Sequence, residues 1–378
     1  MTSPCAFTEA LTTVPADDWR RNFAQLQVCK LYMLMTASKC VKEIIGSLLL
    51  NVSITMSFSD KDRNERRVYV KTGRALKGIC GLSGRCTITN LRLKSCNIKE
   101  GLLMDLLSNV LKQCPGLEEL DLEDNRLGDD VGIIAEQLHK CPKLEILNLG
   151  LTKIDEDGAK SLAQGLKECT KLKELLLHRN RIGDAGMKSL ANVLPQLEAL
   201  SRLALDDNNI TQNGAKSLAR VLPECETLAV LELWANHLGD KGAERLAKVL
   251  GQCGALTHLV ISGNGIGPEG AASIAGVLPK CPVLSCLKID SNVLGNAGAK
   301  ILARALPQCK VLKELNLQYS HIGDAGADSI GQVLQKCPAL KEINLNGNQI
   351  SDDASERLGD VLIEHRPDLK CSLSFFKH

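Results

Sequence analysis

Apolar residues recur along this chain in two alternating rhythms. Leu117, Leu120, Leu122, Asn125 and Leu127 form a frame that returns as Leu172, Leu175, Leu177, Asn180, Ile182 and again as Leu200, Leu203, Leu205, Asn208, Ile210. It restarts from Leu228, Leu256, Leu284, Leu312 and Leu340, each 28 residues after the last, and earlier copies begin at Ile88 and Leu144. Ten copies are legible, with a degenerate eleventh at Leu49, Val52 and Ile54. Within each copy the first half alternates as a strand does. The second half places Gly214-Ala215, Leu218-Ala219 and Leu222, matched by Gly242-Ala243, Leu246-Ala247 and Leu250, on one helical face. Each copy therefore predicts one strand and one helix. Segments such as Gly183-Asp184-Ala185-Gly186 and Gly323-Asp324-Ala325-Gly326 join them, with Asp expected to cap the helix it precedes.

No single unit can bury its own apolar edge, so copies must stack into a parallel sheet on one side and a helix layer on the other. Parallel strands lie about 4.8 Å apart and helices about 8–10 Å apart, which predicts an array bent with its sheet inward.

The pattern L-x-x-L-x-L-x-x-N-x-I/L followed by G-A-x-x-L-A-x-x-L, over residues 88 to 366, resembles the ribonuclease-inhibitor subfamily of leucine-rich repeats and is similar to the repeat region of NOD-like receptors. The resemblance implies an α/β leucine-rich-repeat solenoid, a curved horseshoe with a parallel sheet on the concave face and helices on the convex face. The expected domains are 1–85, a helical N-terminal cap with a possible degenerate first repeat; 86–366, ten repeats; and 367–378, a C-terminal cap. A helix from Trp19 to about Ile45 is the capping candidate, Lys61 to Arg67 reads as a solvated basic loop, and the stretch from Asp368 drifts off the frame.

Two regular series look chemical and read as structural. Nine of the sixteen cysteines, among them Cys114, Cys141, Cys169, Cys225, Cys253, Cys281, Cys309 and Cys337, fall at one repeat position where a turn needs a small apolar residue, with none of the paired spacing of a zinc site. The asparagines Asn125, Asn180, Asn208, Asn236, Asn264, Asn292 and Asn348 occupy the bend after each strand, where an amide can satisfy free backbone groups.

Recognition is expected on strand positions that point to the concave face. In register, Arg92 faces Asp121, Lys94 faces Glu123, His178 lies beside Asp206, Arg179 beside Asp207, and Trp234 next to Asp206. The candidate partner-binding residues are His178, Arg179, Asp206, Asp207, Glu232, Trp234, Asp290, Gln318 and Tyr319, with Trp234, one of two tryptophans, as the anchor. Glu118, Glu119, Asp121, Glu123 and Asp124 form an acidic run that reads as a solvated face.

Composition narrows the function classes. Aromatic residues are 3 % of the chain, so the core is an aliphatic ladder, and 46 basic against 44 acidic residues give a net charge of +2 that argues against nucleic acid. No phosphate loop, zinc-protease helix or serine elbow appears. The stretch Ile44 to Ser59 is too short and polar to span a membrane, and the opening residues lack a signal-peptide pattern. The expectation is a cytoplasmic, monomeric, non-catalytic array without cofactor that binds a protein partner. The alternative is a GTPase activator similar to Ran GTPase-activating protein.

Overall fold

The structure, a computed structural model, describes residues 51–57, 87–98 and 101–373. The helix candidate from Trp19 to Ile45, the basic segment Lys61 to Arg67 and Cys86 lie outside the described residues. The chain divides into two compact units, Met1–Leu176 and Leu177–His378.

In the first unit, strands β1 (Asn51–Ser57), β2 (Thr87–Lys94), β3 (Glu119–Asp121), β4 (Ile146–Asn148) and β5 (Glu174–Leu176) pair in parallel in sequence order. Helices α1 (Leu102–Lys112), α2 (Val131–Ala135) and α3 (Glu156–Leu166) connect β2 to β5. The degenerate copy supplies β1, whose Val52 and Ile54 align with Ile88 and Leu91 across a register shift.

The second unit opens on α4 (Gly183–Ala191) and then alternates β6 (Arg202–Ala204), α5 (Gln212–Val221), β7 (Val230–Glu232), α6 (Gly239–Leu250), β8 (His258–Val260), α7 (Pro268–Val277) and β9 (Cys286–Lys288). It continues with α8 (Gly295–Ala305), β10 (Glu314–Asn316), α9 (Asp324–Leu334), β11 (Glu342–Asn344), α10 (Asp352–His365) and β12 (Lys370–Ser372). Strands β6 to β12 are parallel and in order, with Leu203, Leu231, Leu259, Leu287, Leu315, Ile343 and Cys371 in one register line. Glu342 pairs with Lys370. The strand position thus recurs once more beyond residue 366, in the stretch expected to leave the frame.

The central leucines of β6 to β10 are at most 1 % exposed, and burying each such side chain contributes about 2 kcal/mol. At the bend, the amide of Asn236 donates to the carbonyls of Leu205 and Leu233 while its oxygen accepts from the backbone of Asn208 and Ile210. Asn292 repeats the arrangement two repeats on, donating to Ile261 and Ile289 and accepting from Asn264 and Ile266, and Asn264 between them donates to the carbonyls of Leu233 and Ser262 and accepts from Leu238. The described members of the cysteine series lie at the helix exits, all buried except the half-buried Cys225. Cys225, Cys253, Cys281, Cys309 and Cys337 donate to carbonyls four residues back, at 3.1 to 3.5 Å, and burial pushes each thiol up to about 11.

The expected capping by Asp184 is corrected by the structure. Asp184 accepts from the backbone of Thr211 and Gly214 and from the Thr211 hydroxyl, so it caps α5 in the next repeat and not its own α4. Asp240 does the same for Gly267 and Gly270 at the start of α7, Asn296 for Gly323 and Gly326 at the start of α9, and Asp324 reaches Ser351 ahead of α10.

Successive repeats are not alike. Gly128, Gly183, Gly239 and Gly295, in every second repeat, adopt left-handed φ of 51 to 59°; in the repeats between, Asn97, Lys153, Asn209, Gly265 and His321 do so two positions earlier in the frame. The identical tetrapeptides at Gly183 and Gly323 therefore fold differently: Gly183 has φ 59° and Gly323 has φ −101°. Position in the alternation overrides local sequence.

The last repeat is closed by Arg366. Its guanidinium is 7 % exposed, donates to the carbonyls of Leu334, Cys337 and Leu340, and pairs with Asp368. It supplies donors to the end of α9 and the turn after it.

Candidate functional site

In each strand the central leucine points to the helices, so the residues on either side of it point to the open face of the sheet. All nine candidates lie in the second unit. His178, Asp206, Trp234, Asp290 and Gln318 occupy one repeat position just past the strands, Glu232 lies in β7, and Arg179, Asp207 and Tyr319 follow at a position with φ of 54, 51 and 48°. Backbone bonds carry the pairing through this turn: Arg179 donates to the Asp206 carbonyl at 2.7 Å, Asp207 to Trp234 at 2.8 Å and Tyr319 to Asn346 at 3.0 Å.

Trp234 and Asp206 are joined directly. A carboxylate oxygen of Asp206 accepts the backbone N–H of Trp234 at 2.7 Å. Burial pushes this carboxyl above the usual range. The bond from Trp234 opposes the shift, Glu232 adds to it, and His178 also opposes it. Trp234 is 40 % exposed, and its indole nitrogen edge lies over Gly263, where an added Cβ would sit 3.4 Å away. Tyr319, 52 % exposed, lies across Gly347 in the same way, its ring filling the space of the missing side chain. Both aromatics rest on a glycine of the next repeat while keeping much of their surface open.

The remaining candidates have mixed surroundings. Glu232 accepts two bonds from the Arg202 guanidinium, at 3.1 and 3.3 Å. Asp290 accepts from the Ser262 hydroxyl at 2.6 Å, and Gln318 from the Asn344 amide at 3.2 Å. Arg179 and Asp207 are exposed neighbours in the turn, and among the described residues no ion pair joins them. Arg202 was outside the candidate set. Strand alternation puts it on the same face, in the row with Val230, His258 and Glu314, and that was the available signal.

On the first unit's face the pairing differs from the expected one. Arg92 aligns with Asp121 in backbone register, yet its guanidinium pairs with Glu119, two residues earlier, because a long side chain reaches diagonally. Glu119 also accepts from Asn90. Lys94 pairs with Glu123 at 2.8 Å, as the rows predict, and Ser95 donates to Asp124. Much of the acidic run is thus compensated. Among the described residues, Asp206, Asp207 and Asp290 make no ion pair. No group of three or more His, Cys, Asp or Glu converges as a metal site there, and no helix is long and apolar enough to cross a membrane.

A family profile described as Leucine Rich repeat matches residues 113–131, 140–163, 168–191, 199–219, 255–275, 308–331 and 336–355. No curated protein matches the chain. Among solved structures, an internalin from Listeria monocytogenes is 18 % identical with TM-score 0.38, covering 85 % of this chain and 96 % of that one. Actin-binding site 2 of leiomodin-1 is 17 % identical with TM-score 0.32, covering 34 % and 78 %. The chain carries leucine-rich repeats and folds as an α/β leucine-rich-repeat solenoid.

Proposed function

We propose that this leucine-rich-repeat solenoid is a non-catalytic scaffold or sensor that holds a protein partner on the open sheet face of its second unit. The observation that carries the reading is Trp234: a large aromatic, 40 % exposed, fixed by a backbone bond to Asp206 and by its seat on Gly263. An aromatic held in one place loses little freedom on binding, which is the property of an interface anchor. Asp206, Asp207 and Glu232 adjoin it, His178 and Arg179 lie one repeat beyond Asp206, and Asp290, Gln318 and Tyr319 extend the surface toward β10.

Strand and helix in every repeat from β2 to β11 support the ribonuclease-inhibitor type, similar to the repeat region of NOD-like receptors. The eleven described cysteines carry no disulfide, in keeping with a cytoplasmic chain.

The test is quantitative. A partner recovered from native extract should bind the Trp234→Ala chain about 30-fold more weakly, the ~2 kcal/mol expected of a hot spot. Unchanged affinity in titration calorimetry would move the partner to another surface.

A further inference from the structure

The anchor's surroundings specify the partner's chemistry, and we infer that the partner meets Trp234 with a cationic side chain, best an arginine, carried on an extended basic segment laid across β6 to β9. The inference rests on the reading of this face as a protein-binding surface.

Covering Trp234 necessarily covers Asp206, because the two are bonded. An apolar lid would bury that half-buried carboxylate with only the Trp234 N–H and the neighbouring His178 to offset its charge, which is unfavourable. A guanidinium satisfies both groups: its flat face stacks on the indole, and its N–H groups reach the carboxylate. Two other carboxylates on the unit's face hold cations, Glu232 with Arg202 and Glu342 with Lys370, while Glu314 bonds the Cys286 thiol. Asp206, Asp207 and Asp290 hold none among the described residues. The exposed cations Arg179 and Lys288 lie on the same face and make no ion pair among the described residues.

Apolar company for the ring is sparse. Its row continues as Ser262 and Asp290, and Gly263 lies beneath it. Asp206 and Asp290 are three strands apart, about 14 Å at the parallel spacing, a span that an extended segment covers in about four residues. A second basic residue four positions from the first would meet Asp290.

The experiment uses the full chain and displayed random twelve-residue peptides, followed by titration of selected peptides in 50 and 300 mM salt. Selected peptides should be rich in arginine and lysine, bind more weakly at the higher salt, and lose at least tenfold in affinity on Trp234→Ala and on the double change Asp206→Asn with Asp290→Asn. Trp234→Phe, which keeps an aromatic seat on Gly263, should lose less, and thermal unfolding of each variant checks that the chain remains folded. Peptides that need Trp234 but are neutral or acidic, and that ignore the double change, would overturn the cationic partner and leave the binding face standing. Selected peptides indifferent to Trp234→Ala would overturn both.

Discussion

At the scale of single residues, the bend asparagines and the anchor carboxylate have opposite energetic roles. Asn236 is 2 % exposed and satisfies four backbone groups belonging to two repeats. Its removal strands those groups, so Asn236→Ala should destabilise the chain by about 3 kcal/mol in urea unfolding, a few times the worth of one typical hydrogen bond. Asp206 works the other way. Its native carboxyl titrates above the unfolded value, so the native state binds more protons over that window and loses stability as pH rises from the ordinary Asp value, about 4, through the raised native one. Asp206→Asn keeps an acceptor for Trp234 and cannot ionise. It should therefore gain stability over the natural chain at pH 7 and lose that advantage at pH 3, as read by denaturant midpoints. A carboxylate kept where it destabilises the fold is consistent with selection for binding. Both residues were legible in the sequence, the asparagines by period and Asp206 by row. The Arg92–Glu119 and Arg202–Glu232 pairs were not, because reading across rows assumes that partners share a repeat position, whereas long side chains reach to the next position on the same face.

Among the elements, the lesson lies in the caps. The aspartates after the loop glycines were visible as capping residues, but sequence proximity assigned them to the wrong helix. Asp184 is near α4 in the chain and bonded to α5 in space. Asp184→Ala should cost about 1–2 kcal/mol, the worth of an N-cap, and hydrogen exchange should quicken first at Thr211 and Gly214 at the start of α5, whose N–H groups donate to Asp184, leaving α4 less affected. Equal exposure of α4 would show that the acid acts on its own helix after all. The strand and helix assignments themselves were readable because the two periods differ so clearly. The conformational alternation was hidden, since Gly183 and Gly323 head the same tetrapeptide and only their neighbours in the stack distinguish them.

Across the whole molecule, stability in such an array comes from each repeat's contacts with the next. The alternation means that those contacts are of two kinds. One junction is spanned by the side chains of Asp184, Asp240 or Asn296 reaching forward to a helix start; the junctions between these carry Gln212 and Pro268 at that position, and Asp324 reaches forward again only at the last junction, to Ser351. A length of chain can be removed cleanly only if like junctions are rejoined. Deleting residues 200–255, two repeats, returns Asp184 to a helix start of the kind it now caps, whereas deleting 200–227 sets it against Leu238 and the left-handed Gly239. The longer deletion should leave a cooperatively unfolding chain, and the shorter one should unfold at distinctly lower denaturant. The heritable module of this protein is then the 56-residue pair, and its ancestry should be written in additions and losses by twos.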